Sequence, residues 1–133
     1  MHRDLNPGNV LIVEEIDEGP RVKIIDFGFA VKKVEDNALS QKLGSNLFRA
    51  PEMIEATKER RYDEKIDIWA IGVIAFHLLT GGDYPFKSKY KAELEQMIVT
   101  KPFKEDKLFR SSDRAKTFIQ LCLQKSPGDR PSA

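Results

Sequence analysis

Cysteine is almost missing from this chain: Cys122 is the one thiol in 133 residues. A lone thiol cannot close an internal disulfide, so the fold has to be held by packing. Net charge is nearly missing as well, with 22 Lys and Arg against 21 Asp and Glu and a formal charge of +1. That balance removes the electrostatic basis for a nucleic-acid or membrane-surface protein, which needs a clear basic excess. No apolar run reaches the roughly 20 residues of a membrane span. The segment from Met1 is polar and charged, unlike the apolar stretch of a signal peptide. These absences lead to the expectation of an intracellular, cytoplasmic protein with no nucleic-acid or membrane partner. No repeat, low-complexity tract or D-x-[DN]-x-[DN]-G loop occurs either, so a calcium sensor would have to lie outside these residues.

What is present, 41% hydrophobic residues over this length, suits one domain or part of one. Asn9 to Val13 and Arg21 to Ile25 are short apolar runs, the second rich in β-branched residues. The acidic stretch Glu14 to Pro20 between them ends in Gly19 and Pro20, which predicts a hairpin-like pair of strands. Asp26 to Phe48 shows no period and reads as a long irregular segment, of a length that tends to be functional or disordered. Beyond Pro51 the pattern turns helical. The strongest helix is expected from about Lys65 to Thr80, where apolar residues occupy every face and imply burial all round. Gly81 and Gly82 stop it, and Tyr84-Pro85-Phe86 forms a turn. Amphipathic helices are expected around Ala92 to Val99 and Asp113 to Gln124, the latter carrying Cys122 as a core thiol. Ser132 looks like the N-cap of a further helix, so the chain is expected to begin and end inside a larger domain.

The residues that carry chemistry are concentrated near the start. His2-Arg3-Asp4 is followed by Asn9, then by Asp26-Phe27-Gly28, and further on by Ala50-Pro51-Glu52. H-R-D-x-x-x-x-N, D-F-G and A-P-E in this order resemble the signature set of the eukaryotic protein kinases, in the part known as the C-terminal lobe. Asp67 with Trp69 and Gly72, Tyr84-Pro85-Phe86 and Asp129-Arg130-Pro131 extend the resemblance over essentially the whole chain. Lys42-Leu43-Gly44 looks like the calcium-dependent and calmodulin-dependent branch of serine/threonine kinases.

The resemblance implies an α+β, protein-kinase-like fold: a mainly helical C-terminal lobe with a short β hairpin, residues 1–133 being a partial kinase domain without the N-terminal lobe. It implies ATP and Mg2+ as cofactors and a protein substrate. Asp4 would be the base that takes the acceptor hydroxyl's proton, and Asn9 and Asp26 the magnesium ligands. Arg3 would pair with a phosphate on the long segment, where Ser40 is a possible phosphosite. Gly44-Ser45-x-x-Phe48 is similar to the segment that sets serine/threonine acceptors, with the Ser45 hydroxyl near Asp4. His2, Phe27, Gly28, Glu52, Asp67 and Arg130 would have structural roles, and Glu52 and Arg130 are expected to form a buried ion pair.

Three positions depart from the pattern. Asn6 stands where serine/threonine kinases usually have a Lys facing the transferring phosphate, and an amide brings no charge. Gly8 and His77 stand where relatives selective for basic substrates are often acidic, which weakens any expectation of arginine selectivity. Lys58 to Arg61 reads as a solvated loop. The Gly-rich loop and the strand Lys with its helix Glu are not in these residues, so the fragment alone is expected to be inactive. The reading from a different class is a pseudokinase-like module that only binds proteins.

Overall fold

The computed structural model describes residues 1–13, 19, 21–32, 44–57 and 61–133. The expected hairpin forms: β1 (Val10–Val13) pairs antiparallel with β2 (Arg21–Ile24), in the register Val10 opposite Ile24 and Val13 opposite Arg21. Helices follow as α1 (Pro51–Ile54), α2 (Lys65–Leu79), α3 (Lys91–Thr100) and α4 (Asp113–Cys122). Two strands and mostly helical remaining structure make an α+β chain. The part of Asp26 to Phe48 that is described contains no strand or α-helix, and a 3-10 turn at Asn46–Phe48 closes it. Ser40 and Lys58 to Arg60 lie outside the described residues.

Local chemistry explains the boundaries. Pro51 begins α1 at the position where a missing N–H costs nothing. Ser112 caps α4, its Oγ accepting from the Ala115 N–H at 3.3 Å. Gly81 ends the α2 region in the left-handed conformation, φ 71°.

The core is built around α2. Trp69, Val73 and Phe76 are fully buried among Met53 of α1, Leu94 and Ile98 of α3, and Ile119 of α4. Trp69 stacks on Phe86 with ring centres 5.9 Å apart, which gives the Tyr84-Pro85-Phe86 turn its purpose: it delivers an aromatic ring to the core. Helices α2 and α4 meet at Gly72, where a Cβ would lie 2.6 Å from Cys122 Cβ and 3.0 Å from Leu123 Cδ2. Only a hydrogen fits there. Cys122 is buried, and desolvation raises its thiol pKa, as suits a core thiol.

Burial of α2 on every side is not what the structure shows. Ile71, Leu78 and Leu79 are exposed, and α2 buries one broad face instead. Composition cannot reveal this, because an apolar residue reports only that burial would be favourable, not that a neighbour is there to supply it. His77 on the same helix is half-buried, lies 4.5 Å from the Tyr84 ring, and places Nδ1 3.2 Å from the Asp83 carbonyl.

The last loop is tied to α1 by the pair expected from the sequence. Arg130 donates from two guanidinium nitrogens to both Glu52 oxygens, at 2.6 and 2.8 Å, with each residue buried. Its other donors reach the Gln124 carbonyl at 2.7 Å and the Lys65 carbonyl at 3.0 Å, so the charge is fully hydrogen-bonded. Lys125 beside it donates to the Ile98 carbonyl and lies 4.1 Å over the Phe86 ring. Burial first, and repulsion from Arg130 second, push the Lys125 amine down to about 8 from 10.5.

Two predictions follow from this packing. Glu52→Gln or Arg130→Met strands a buried charge or breaks its pairing and should cost about 3 to 5 kcal/mol in denaturant unfolding. A loss under about 1 kcal/mol would mean the pair is solvated. Lys125 has a folded pKa below its unfolded value, so the unfolded chain holds that proton more tightly. Stability relative to Lys125→Met should therefore rise as pH increases from about 8 to 10.5. A difference between the two proteins that stays flat across that window would show an amine titrating normally.

Candidate active site

The site begins with a strained loop. Arg3 has φ 72°, a left-handed conformation that a long side chain adopts at a cost of about 1 to 3 kcal/mol. Asp67, in the first turn of α2, accounts for it. One carboxylate oxygen accepts from the His2 N–H at 2.6 Å and the other from the Arg3 N–H at 2.9 Å. Charge-assisted bonds of this kind are about twice as strong as neutral ones, enough to offset the strain. The His2 ring is buried, with Nε2 3.0 Å from the Ile25 carbonyl and its edge on Phe27 at 4.9 Å.

Asp4 follows the strained residue. Its Oδ1 receives the Ser45 N–H at 3.1 Å and the Asn6 amide at 3.3 Å. Its Oδ2 accepts nothing from the described residues. Gly44 permits the contact with Ser45: it has φ 73°, and a Cβ there would lie 2.8 Å from the Arg3 carbonyl and 2.9 Å from Asp4 Oδ1. In the sequence this glycine stands within two motifs but has no role of its own. Its signal was available only as a Gly next to Ser45, and what makes it necessary is a contact across 41 positions.

Asn9 closes the loop. Its amide nitrogen donates to the Asp4 carbonyl at 2.9 Å, so its side-chain oxygen is turned away from that bond and accepts nothing from the described residues. Its own carbonyl accepts from the Ile25 N–H at 3.0 Å, which brings Asn9 beside Asp26 at the open end of the hairpin. Asp26 also has a positive φ, 60°, and its Oδ1 accepts from the Gly28 N–H at 3.2 Å. Phe27 is largely exposed apart from its edge on His2.

Several residues act differently from the sequence expectation. The Asn6 amide is committed to its own loop: Oδ1 caps the 3-10 turn Pro7–Asn9 by accepting from Gly8 at 2.9 Å, and Nδ2 bonds the Asp4 carbonyl at 3.1 Å as well as the carboxylate. It supports the Asp4 carboxylate. Ser45 reaches Asp4 through its backbone N–H, and its hydroxyl makes no hydrogen bond with the described residues. Arg3 Nε donates to the Phe29 carbonyl at 2.5 Å, so this buried guanidinium ties the His2 loop to the Asp26 loop. The cavity beside Asp4 measures about 10 Å³.

The protein kinase domain family model matches residues 1–133. The chain belongs to that family. It is 36% identical over 132 residues to calcium-dependent protein kinase 5 of Plasmodium falciparum, covering 98% of this chain and 22% of that protein. The serine/threonine-protein kinase ULK3 of Xenopus laevis is also 36% identical over 132 residues, covering 98% and 27% respectively. Serine/threonine-protein kinase A of Synechocystis is 32% identical over 137 residues, covering all of this chain and 26% of that protein. The chain thus spans about a quarter of the length of these relatives. The fold is that of a protein kinase domain, and a calcium-dependent kinase is among the relatives, in keeping with the resemblance at Lys42-Leu43-Gly44.

Protein kinases use ATP with Mg2+, and the donor set here fits a magnesium ion. Asn9 and Asp26 offer hard oxygens from adjacent positions. Among the described residues no three His, Cys, Asp or Glu side chains cluster to form a metal cage. No helix among the described residues is long and apolar enough to cross a membrane.

Asp67→Ala should cost about 2 to 5 kcal/mol, since it leaves two partly buried N–H groups unpaired and releases Arg3. Amide hydrogen exchange should show lost protection at His2 and Arg3. Unchanged protection there would mean that the loop holds itself.

Proposed function

We propose that these residues are the catalytic-loop part of an ATP-dependent serine/threonine protein kinase that transfers the γ-phosphate to protein hydroxyls. Residues 1–133 would be part of a kinase domain within a cytoplasmic protein. The observation that supports this best is Asp4: one carboxylate oxygen is pinned by Ser45 and Asn6, and the other accepts nothing from the described residues. A base needs that arrangement, with orientation fixed through one oxygen and the second left to accept the substrate's proton.

In this reading the substrate hydroxyl donates its hydrogen bond to Asp4 Oδ2 and loses the proton there as the bond to phosphorus forms. The Asn9 side-chain oxygen and the Asp26 carboxylate would hold magnesium. Bound there, magnesium would neutralise charge on the phosphates, and ATP would supply the phosphoryl group, its bond to the departing ADP oxygen breaking as the bond to the hydroxyl oxygen forms. Asn6 contributes by fixing Asp4 and supplies no cation to the phosphate. Such a missing contact can cost roughly 10²- to 10³-fold in rate. Phosphorylation at Ser40, with Arg3 as the receiving cation, is a regulatory element of the same reading. A protein-binding module without catalysis is the alternative that Asn6 favours.

The tests separate the two. With no Gly-rich loop over the phosphates and no strand Lys with its helix Glu among them, the 133 residues alone should show no Mg-ATP binding tighter than millimolar by titration calorimetry. Joined to a nucleotide-binding lobe, they should phosphorylate a Ser/Thr peptide slowly, and Asp4→Asn and Asp26→Asn should abolish transfer. Asn6→Lys exchanges a cap worth about 1 kcal/mol of loop stability for a charge that acts in the transition state, so turnover should rise about tenfold or more. Activity indifferent to Asp4→Asn would hand the function to the binding-module reading.

A further inference from the structure

A cavity of about 180 Å³ opens beside the Tyr84-Pro85 turn, away from Asp4, where Lys87, Lys104 and Lys107 face one carboxylate, Asp83. Three positive charges against one negative leave the lining at +2. Lys107 pairs with Asp83 at 3.4 Å. Among the described residues Lys87 and Lys104 have no ion-pair partner. The Tyr84 N–H, with Lys107 and Lys87 behind it, holds the Asp83 carboxyl below its ordinary range.

The neighbouring acidic residues are directed elsewhere. Glu93 accepts from Ser88, and Glu95 pairs with Lys91 at 3.8 Å and Arg49 at 3.9 Å. The 3-10 turn Glu105–Leu108, entered from Lys104, sorts its charges by side. Lys104 and Lys107, three residues apart and so aligned in such a turn, line this cavity. Glu105 and Asp106 line a separate cavity of about 270 Å³.

The basic cavity is also joined to the catalytic loop. Tyr84 meets Phe48 edge-on at 6.0 Å, and Phe48 closes the turn that starts directly after Ser45, the residue holding Asp4. We infer that this cavity receives acidic side chains of a peptide, and that the protein substrate is therefore acidic near its acceptor residue. Naming the peptide as substrate rests on the kinase reading; the charge preference of the cavity does not. Lys87 and Lys104 would meet carboxylates from a chain that passes Tyr84. Peptides rich in Arg would meet repulsion at the same place.

Binding to the 133-residue chain without nucleotide tests the inference apart from catalysis. Labelled peptides of equal length, carrying Ser with flanking Glu and Asp, Gln and Asn, or Arg, should rank acidic, neutral, basic in fluorescence anisotropy. Lys87→Glu with Lys104→Glu should weaken the acidic peptide about tenfold or more. Lys89→Glu with Lys101→Glu makes the same charge change at exposed positions outside the cavity and should leave affinity within about twofold. All four lysines are exposed, so both variants should fold, with a thermal unfolding transition by circular dichroism as the check. Equal losses in the two variants would reduce the effect to net charge and overturn the site, as would absence of any preference for acidic peptide. Intact acidic-peptide binding with no Asp4-dependent transfer would overturn the kinase reading and leave the site standing.

Discussion

The grip of the Asp67 carboxylate on the His2 and Arg3 N–H groups is the constraint from which the rest of the site follows. It fixes Arg3 in a conformation the residue would not choose, and that backbone turn determines where Asp4 comes next. Through the same segment it sets the His2 ring against Ile25 and Phe27, and the Arg3 guanidinium against Phe29. Two loops distant in sequence are thereby registered to one another by a helix that belongs to neither. A site assembled this way owes its accuracy to α2, so the packing of α2 is a functional matter.

That packing is fixed from the far side. Arg130 binds Glu52 of α1 and the carbonyls of Lys65 and Gln124, while Gly72 lets α4 approach α2 without a side chain between them. Replacing so well satisfied a pair by apolar residues of matching volume need not destabilise the fold, because burying the two charges is costly in itself. Its geometric effect is harder to replace. It sets the entry to α1, and the residues just before α1 include Gly44 and Ser45, which meet Asp4. The last loop of the chain and the loop that carries Asp4 are thus joined through α1 and α2 by directed contacts.

Much of this was legible in the sequence. The hairpin and the three longer helices lie within about two residues of where punctuation and periodicity place them, because Gly, Pro and apolar spacing act locally. The family resemblance singled out Asp4, Asn9 and Asp26, and the Glu52–Arg130 pair expected with them forms. What the sequence withheld depends on orientation and on backbone donors. Asn6 is an amide in either role, and only coordinates show it turned inward to Asp4. The Ser45 contact uses an N–H that any non-proline residue possesses, so the hydroxyl drew notice that the structure does not support. The exposed residues of α2 were misread for a related reason: periodicity describes one helix, while burial requires a second surface.

The arrangement of acceptors leads one step further. Asp4 Oδ2, the Asn9 side-chain oxygen and one Asp26 oxygen receive no hydrogen bond from the described residues, though Asn9 bonds Asp4 and its carbonyl bonds Ile25 just before Asp26. Asn6 Oδ1 and Asp26 Oδ1 meet donors within their own turns, and the Asn9 amide and Asp4 Oδ1 meet partners that hold the loop. An oxygen that meets no donor in the protein can accept one from a ligand or bind a cation. Within the proposed function the division has a clear use: the bonded oxygens set position, and the remaining ones meet magnesium and the substrate hydroxyl.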